Sequence, residues 1–240
     1  MLETMTPQTS ERPYRRHAWE IYAQSYDRIL PVLPFYQEVV LRHIGAMLVP
    51  GVQNILDLGA GTGNVAIELA RLHRHVTAVD ISPDMLKHLR LKARGLSPDR
   101  LVVLERNAET LHDLSDGSFH GVSILLALFD MQNPRRALEE ALRVLSSGGL
   151  LVITEPKASF KLQPLLDFVE HFLRTEKLYD ELETHWERVL AANRAINPEM
   201  RHNRLTNETI RHELENRGFR ILDMKDSHLG NCATVLARKS

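Results

Sequence analysis

Between Asn54 and Pro156 short apolar runs alternate with amphipathic ones, and this alternation limits the possible folds more than any other feature of the chain. "NILDLG", "HVTAVDI", "LVVLERN", "GVSILLALF" and "LLVITEP" are nearly continuous in apolar residues, as strands covered on both faces are. Between them, "NVAIELARLH", "SPDMLKHLRLKAR" and "NPRRALEEALRVL" carry helical spacing. Ser82 is placed to cap the second of these helices, with Pro83 at its first position, and Gly148 and Gly149 close the third. Such a rhythm predicts a parallel sheet with helices on both faces.

The flanks follow other patterns. Arg15 to about Leu30 and Tyr36 to Leu48 read as two helices separated by Pro31 and Pro34. Residues of about 158–197 form one long helical tract or two broken ones, with an apolar stripe that includes Phe168, Phe172, Tyr179 and Trp186. Such a stripe packs on its own domain or on a second subunit, or walls a pocket. "TNETIRHELENRGF" is a further helix capped by Thr206, and "FRILDMKD" and "CATVLARK" are two strands close enough to pair as a hairpin.

Composition narrows the setting. Hydrophobic residues make up 43% and charged residues 25% of the 240, and the formal net charge is −1, which argues against nucleic acid as a partner. The single cysteine, Cys232, has no internal partner and fits a reducing cytoplasm. No apolar window approaches the ~20 residues of a membrane span, and the first residues lack the apolar core of a secretory signal. No Cys/His group has metal-site spacing.

"ILDLGAGTGN" carries the chemistry. Its glycines are spaced G-x-G-x-G, not the G-x-G-x-x-G of a dinucleotide fold, and no Lys-Ser/Thr pair follows as in a phosphate loop. Asp57, just before the glycines, would repel a phosphate but suits an ammonium; it also suits backbone N–H groups of the turn. Asp80 ends the next strand, 17 residues after Gly63, where a carboxylate can accept both hydroxyls of a ribose or serve as a helix N-terminal acid. An ammonium, a close approach and a ribose without phosphate together describe S-adenosylmethionine.

With these residues the chain resembles the class I S-adenosylmethionine-dependent methyltransferases, in particular their small-molecule, quinone-biosynthesis branch. "ILDLGAGTGNVA", "VTAVDIS", "LERNAETLHDLSDGSFHGVSILLAL" and "LEEALRVLSSGGLLVITEP" match successive motifs of the family. The resemblance implies that Gly59, Ala60 and Gly61, with Asp57, meet the methionine part of the cofactor. Asp80 would hold the ribose, Ile81 and Met85 would flank the adenine, and Asn107 and Ala108 would meet its amino edge. Asn107 stands where relatives carry Asp. Leu126 would lie by the sulfonium, and Tyr26 belongs to a segment that closes over the cofactor. Met85 and Tyr26 also read as ordinary core residues.

The implied fold is α/β: a Rossmann-like, seven-stranded, mostly parallel sheet with a C-terminal antiparallel hairpin strand, N-terminal helices and a helical lid inserted after the fifth strand. The expected segments are a disordered lead-in over 1–14, N-terminal helices over 15–50, a cofactor-binding core over 51–156, the lid over 157–205 and the rest of the core over 206–240.

Catalytic groups are harder to name, because a sulfonium methyl is already activated and the enzyme's main task is to orient the acceptor. A base matters only where the acceptor must lose a proton. Relatives carry histidines after the fourth strand, where this chain has Phe129 and Asp130. Asp130, His202 and His228 are the candidates, with Glu155 and Lys157 on the expected rim of the site. Three functions stand: methyl transfer to a small apolar metabolite by a monomer or homodimer, methylation of tRNA or protein on the same core, or a cofactor-binding relative with other chemistry.

Overall fold

The computed structural model describes residues 13–196 and 205–240. Seven strands form one sheet: β1 (Asn54–Leu58), β2 (His75–Asp80), β3 (Leu101–Glu105), β4 (Phe119–Leu125), β5 (Leu145–Pro156), β6 (Phe219–Ser227) and β7 (Cys232–Lys239). Their spatial order is β3-β2-β1-β4-β5-β7-β6. The first five run parallel, while β7 is antiparallel to both of its neighbours. The order reverses between β1 and β4, and in a sheet of this kind that switch opens a crevice at the carboxyl ends of the strands.

Eight helices surround the sheet among the described residues: α1 (Pro13–Ile29), α2 (Pro34–Met47), α3 (Ala66–Arg71), α4 (Pro83–Lys92), α5 (Pro134–Val144), α6 (Leu162–Thr175), α7 (Tyr179–Ile196) and α8 (Asn207–Asn216). The period-two side-chain alternation divides each strand between two faces. Leu56, Leu58, Val122 and Ile124 pack on Leu138 and Leu142 of α5 and Ile210 and Leu214 of α8. Ile55, Val76, Ala78 and Val152 pack on Met47 of α2, Leu69 of α3 and Leu86 and Leu89 of α4. A third cluster lies over the crevice, where Tyr22 and Ile29 of α1 meet Leu166 and Val169 of α6 and Trp186 and Val189 of α7.

Local signals agree closely with these elements. The Ser82 hydroxyl accepts from the Met85 N–H at 3.3 Å, and the Thr206 hydroxyl from the Thr209 N–H at 3.2 Å, capping α4 and α8. One open alternative is decided and one boundary differs from expectation. The tract after Pro156 is two helices, broken where Lys177 takes a left-handed φ of 58° and the Leu178 N–H turns back to the Leu173 carbonyl. The helix α5 ends at Val144 rather than at the glycines, because Leu145 already pairs with Phe119 of β4. The lead-in expected over 1–14 lies, but for its last two residues, outside the described residues.

Candidate active site

The glycine turn leaves β1 and is tied to β2. The N–H groups of Gly59 and Ala60 both donate to the Val79 carbonyl, at 2.8 and 2.9 Å, and the Gly61 N–H donates to Asp80 Oδ2 at 2.8 Å. These N–H groups are therefore spent within the protein, and the turn offers a ligand bare Cα atoms rather than a cradle of donors. Gly59 has a φ of +73°, and a Cβ there would overlap that of Ala127, so the turn and the segment after β4 approach to a distance only glycine allows.

Asp80 braces this corner. Its Oδ1 accepts from the Ser82 N–H at 2.8 Å, so one carboxylate links the glycine turn to the start of α4. The Ile81 N–H bonds it as well, and the carboxylate keeps lone-pair capacity for a ligand. Burial raises its pKa against these N–H bonds.

Asp57 sits deeper, 3% exposed, and accepts from Ser123 Oγ at 3.0 Å. Burial pushes its carboxyl up to about 7, with nearby Asp80 adding to the rise. Behind it runs a row of buried polar groups on the α2 side of the sheet. Ser123 Oγ lies 3.0 Å from His43 Nδ1, His43 Nε2 lies 2.8 Å from Thr154 Oγ1, and Thr154 Oγ1 lies 2.7 Å from Thr234 Oγ1. The row crosses β1, β4, β5 and β7, with the fully buried His43 of α2 bridging it from above. Burial holds the His43 imidazole at about 3, hence neutral.

These residues open onto a cavity of about 700 Å³, within the ~300–1,000 Å³ typical of small-molecule sites. Its polar end is lined by Asp57, Gly59, Ala60, Gly61, Asp80 and Ile81, and by Met85, Asn107, Ala108 and Leu126. Met85 is at once wall and core, at 4% exposure, whereas Ile81 is 53% exposed at the mouth. Asn107 Oδ1 already accepts from the Glu109 N–H at 2.9 Å and so holds its own turn. Leu126 has a φ of 51°, a backbone conformation that carries strain in a non-glycine residue and gathers at functional sites.

The other end is apolar and aromatic, walled by Tyr22, Phe35, Leu166, Val169 and Trp186 from α1, α2, α6 and α7. Asp130 and His228 line it as well. The Asp130 carboxylate accepts from the Trp19 indole at 2.5 Å. His228, 5% exposed with a φ of 49°, has its ring tilted against that of Phe35, the centroids 4.9 Å apart, and burial lowers its pKa to about 4. His202 lies outside the described residues.

Of the two residues expected on the rim, Glu155 lies elsewhere. Glu155 is fully buried and accepts from the N–H groups of Ala127, Leu128 and Phe129, pinning the turn after β4 from below. The long run of free N–H groups in that turn draws a carboxylate inward. Lys157 pairs with Asp226 at 2.8 Å.

Sequence reasoning missed the fastening of α1. Asp27 Oδ1 accepts from Thr62 Oγ1 at 2.6 Å and from Lys92 Nζ at 2.8 Å, and Lys92 also reaches Asn64 Oδ1 at 2.8 Å. The Asn64 amide donates to the Tyr36 hydroxyl at 3.1 Å, and the Tyr26 hydroxyl lies 3.0 Å from that of Tyr36. The only signal within reach was the Tyr-Asp pair at 26 and 27.

Residues 56–153 match the family described as "Methyltransferase domain". A demethylmenaquinone methyltransferase from Clavibacter sepedonicus is 36% identical over 135 residues, covering 55% of this chain and 54% of that protein. One from Porphyromonas gingivalis is 30% identical over 163 residues, covering 64% and 66%. Over those residues the chain carries a methyltransferase domain, and it is similar to the class I S-adenosylmethionine-dependent methyltransferases. It spans about half the length of the curated relatives it matches. Among solved structures, the [4+2]-cyclase SpnF has a TM-score of 0.60 at 20% identity, covering 85% of this chain and 80% of that one. The N-methyltransferase NodS from Bradyrhizobium japonicum, in complex with S-adenosyl-L-homocysteine, has a TM-score of 0.60 at 15% identity, covering 91% and 98%. These two likenesses are of fold.

The residues present fit the cofactor of a class I methyltransferase. An acid with lone-pair capacity, a turn stripped of side chains and a buried acid share one end of the cavity, and among the described residues no cluster of cations for a phosphate lines it. Among the described residues no helix is long and apolar enough to cross a membrane.

Proposed function

We propose that this chain transfers a methyl group from S-adenosylmethionine to a small apolar acceptor in the cytoplasm. The observation that carries the reading is the continuity of one cavity from the Asp57–Asp80 corner to the aromatic chamber under α1, α6 and α7. Bound at the polar end, the cofactor supplies an electrophilic methyl group. Asp80 would accept from the ribose hydroxyls, Asp57 would face the ammonium side, and Asn107 and Ala108 would meet the adenine edge. Tyr26 closes the cavity from α1.

The chain's own work is orientation and the exclusion of water, which in favourable cases supply ~7–11 kcal/mol. Asp130 is the proposed base at the chamber wall, its carboxylate aimed by the Trp19 indole and able to take a proton from an acceptor hydroxyl or acidic carbon. His228, buried and neutral, shapes the same wall. The names of the curated relatives make ring-bearing quinols the first acceptor class to test.

Calorimetry with S-adenosylhomocysteine, followed by labelled methyl transfer into quinol, phenol and fatty-acid pools against bulk tRNA, tests the proposal. Micromolar binding and label in a small-molecule pool are expected. Label in tRNA alone, or binding with no transfer to any pool, would overturn it.

A further inference from the structure

Among the described residues no cation acts on Asp57, although it lines the cavity and is 3% exposed. The groups facing it are the Ser123 hydroxyl of β4, the Ala66 N–H of α3, Asp80 of β2 and Tyr36 of α2. Asp80 opposes its charge. Burial without a counter-charge favours the protonated acid, which an ammonium cannot use.

Behind Asp57 the hydrogen bonds can run in only one sense while it is charged. A carboxylate only accepts, so the Ser123 hydroxyl donates to it at 3.0 Å. The Ser123 oxygen then accepts from Nδ1–H of His43 at 3.0 Å, and the bare Nε2 accepts from the Thr154 hydroxyl at 2.8 Å. Thr154 in turn accepts from Thr234 at 2.7 Å, so every proton of the row points toward Asp57. The other tautomer, Nε2–H, would set the single Ser123 proton between two acceptors, and so belongs with a protonated Asp57. Burial alone shifts the His43 ring, so no neighbouring charge competes for its proton.

We propose that His43 is a positioning residue for cofactor binding: held as the Nδ1–H tautomer, it lines up Ser123 as a donor and keeps Asp57 a carboxylate ready for the ammonium. The cofactor reading of Asp57 is the premise, and the addition is the residue that prepares this acid. His43 is fully buried and acts only through Ser123. Its tautomer therefore reports the charge on Asp57 from two hydrogen bonds away.

A long-range proton–nitrogen correlation spectrum of the histidine rings reads the tautomer, and H43Q identifies the His43 signals among the 12 histidines. At pH 8 with S-adenosylhomocysteine bound, His43 is expected wholly as Nδ1–H, the form a free imidazole disfavours. In the ligand-free protein the ring passes to Nε2–H, still neutral, as Asp57 takes up its proton near pH 7. An Nε2–H ring in the complex, or a ring indifferent to pH and ligand alike, would overturn the proposal.

Affinity gives a second readout. H43L removes both ring nitrogens, and its binding of S-adenosylhomocysteine is expected to fall about fivefold at pH 6.5, the worth of one hydrogen bond. The loss closes at pH 8.5, where Asp57 is charged in either protein. Adenosine, which carries no ammonium, binds both proteins equally at both pH values, and H43Q, which keeps an N–H, restores product binding. A loss equal at the two pH values, or shared by adenosine, would reduce His43 to a packing residue and overturn the proposal. The wild-type spectrum needs no folded Leu variant. Product binding with the wrong tautomer sinks this inference alone, whereas absence of product binding to the wild type sinks the cofactor reading with it.

Discussion

The Lys92 ammonium lies 2.8 Å from the Asp27 carboxylate, so the last turn of α4 holds down the C-terminal half of α1. Since Tyr22 and Tyr26 of the same helix wall the cavity, this pair ties closure of the site to the glycine turn through Thr62 and Asn64. Lys92→Met keeps the stem and removes the charge. The side chains are 33% and 23% exposed, so solvent screening limits the cost to about 1–2 kcal/mol in urea unfolding. Faster amide exchange confined to α1 and a several-fold weaker affinity for S-adenosylhomocysteine accompany it. Unchanged exchange in α1 would show that the pair does not fasten it.

The two acids of the crevice are separable by ligand. Asp80→Asn weakens both adenosine and S-adenosylhomocysteine about tenfold or more, because charged acceptors contribute ~1.5–3 kcal/mol per hydrogen bond. Asp57→Asn weakens only the ligand that carries an ammonium. Isothermal titration with the two ligands reads this directly, and an equal loss for adenosine in both variants contradicts the assignment.

Acid dependence of stability follows from the buried histidines. His43 is held at about 3 and His228 at about 4 in the folded state, below the ordinary 6.5. The unfolded chain therefore binds protons that the folded one refuses, and stability present above about pH 6.5 is lost as pH falls toward 3–4. Asp57 and Glu155, raised to about 7, act in the opposite sense. The folded state holds their protons, and stability falls as pH rises from about 4 to 7. The two pairs offset one another, so the wild-type profile between pH 5 and 6.5 is shallow. His43→Gln removes one histidine from the balance and loses about 2 kcal/mol less than wild type between pH 6.5 and 5, measured by urea titration.

Gly59→Ala combines a left-handed backbone with a collision against Ala127. The expected loss is about 2–4 kcal/mol, seen as a lower unfolding midpoint before any ligand is added. A variant as stable as wild type would mean that the turn and the segment after β4 can part at little cost.

Asp130→Asn lowers kcat about a hundredfold with product affinity unchanged, the usual scale for loss of a general base. Trp19→Phe lowers it less, since the carboxylate survives without its aim. A product affinity that drops with kcat would assign Asp130 to holding the cofactor end.

The sheet, its C-terminal hairpin and the Asp57–Gly59–Asp80 corner were legible because each rests on a local pattern: strand runs, a turn spacing, an acid at a strand end. That the N–H groups of the glycine turn are spent inside the protein was not legible. β1 pairs with β2 through Leu58 and Val79, and the Val79 carbonyl then takes the next two N–H groups of the turn. Periodicity reports that a face is buried but not which neighbour it meets. So Trp19 and Asp130, 111 residues apart, and Asp27 and Lys92, 65 apart, left no mark in the text of the chain. Glu155 was placed on the rim for the same reason.

The row Asp57–Ser123–His43–Thr154–Thr234 carries a consequence for descent. Each member leans on the next among buried side chains, and a half-replaced network is worse than an apolar filling. Drift at one position strands its neighbours. In lineages related to this chain, positions 43, 123 and 154 should therefore have been inherited or exchanged as a set, with leucine- or valine-like triplets replacing His, Ser and Thr together.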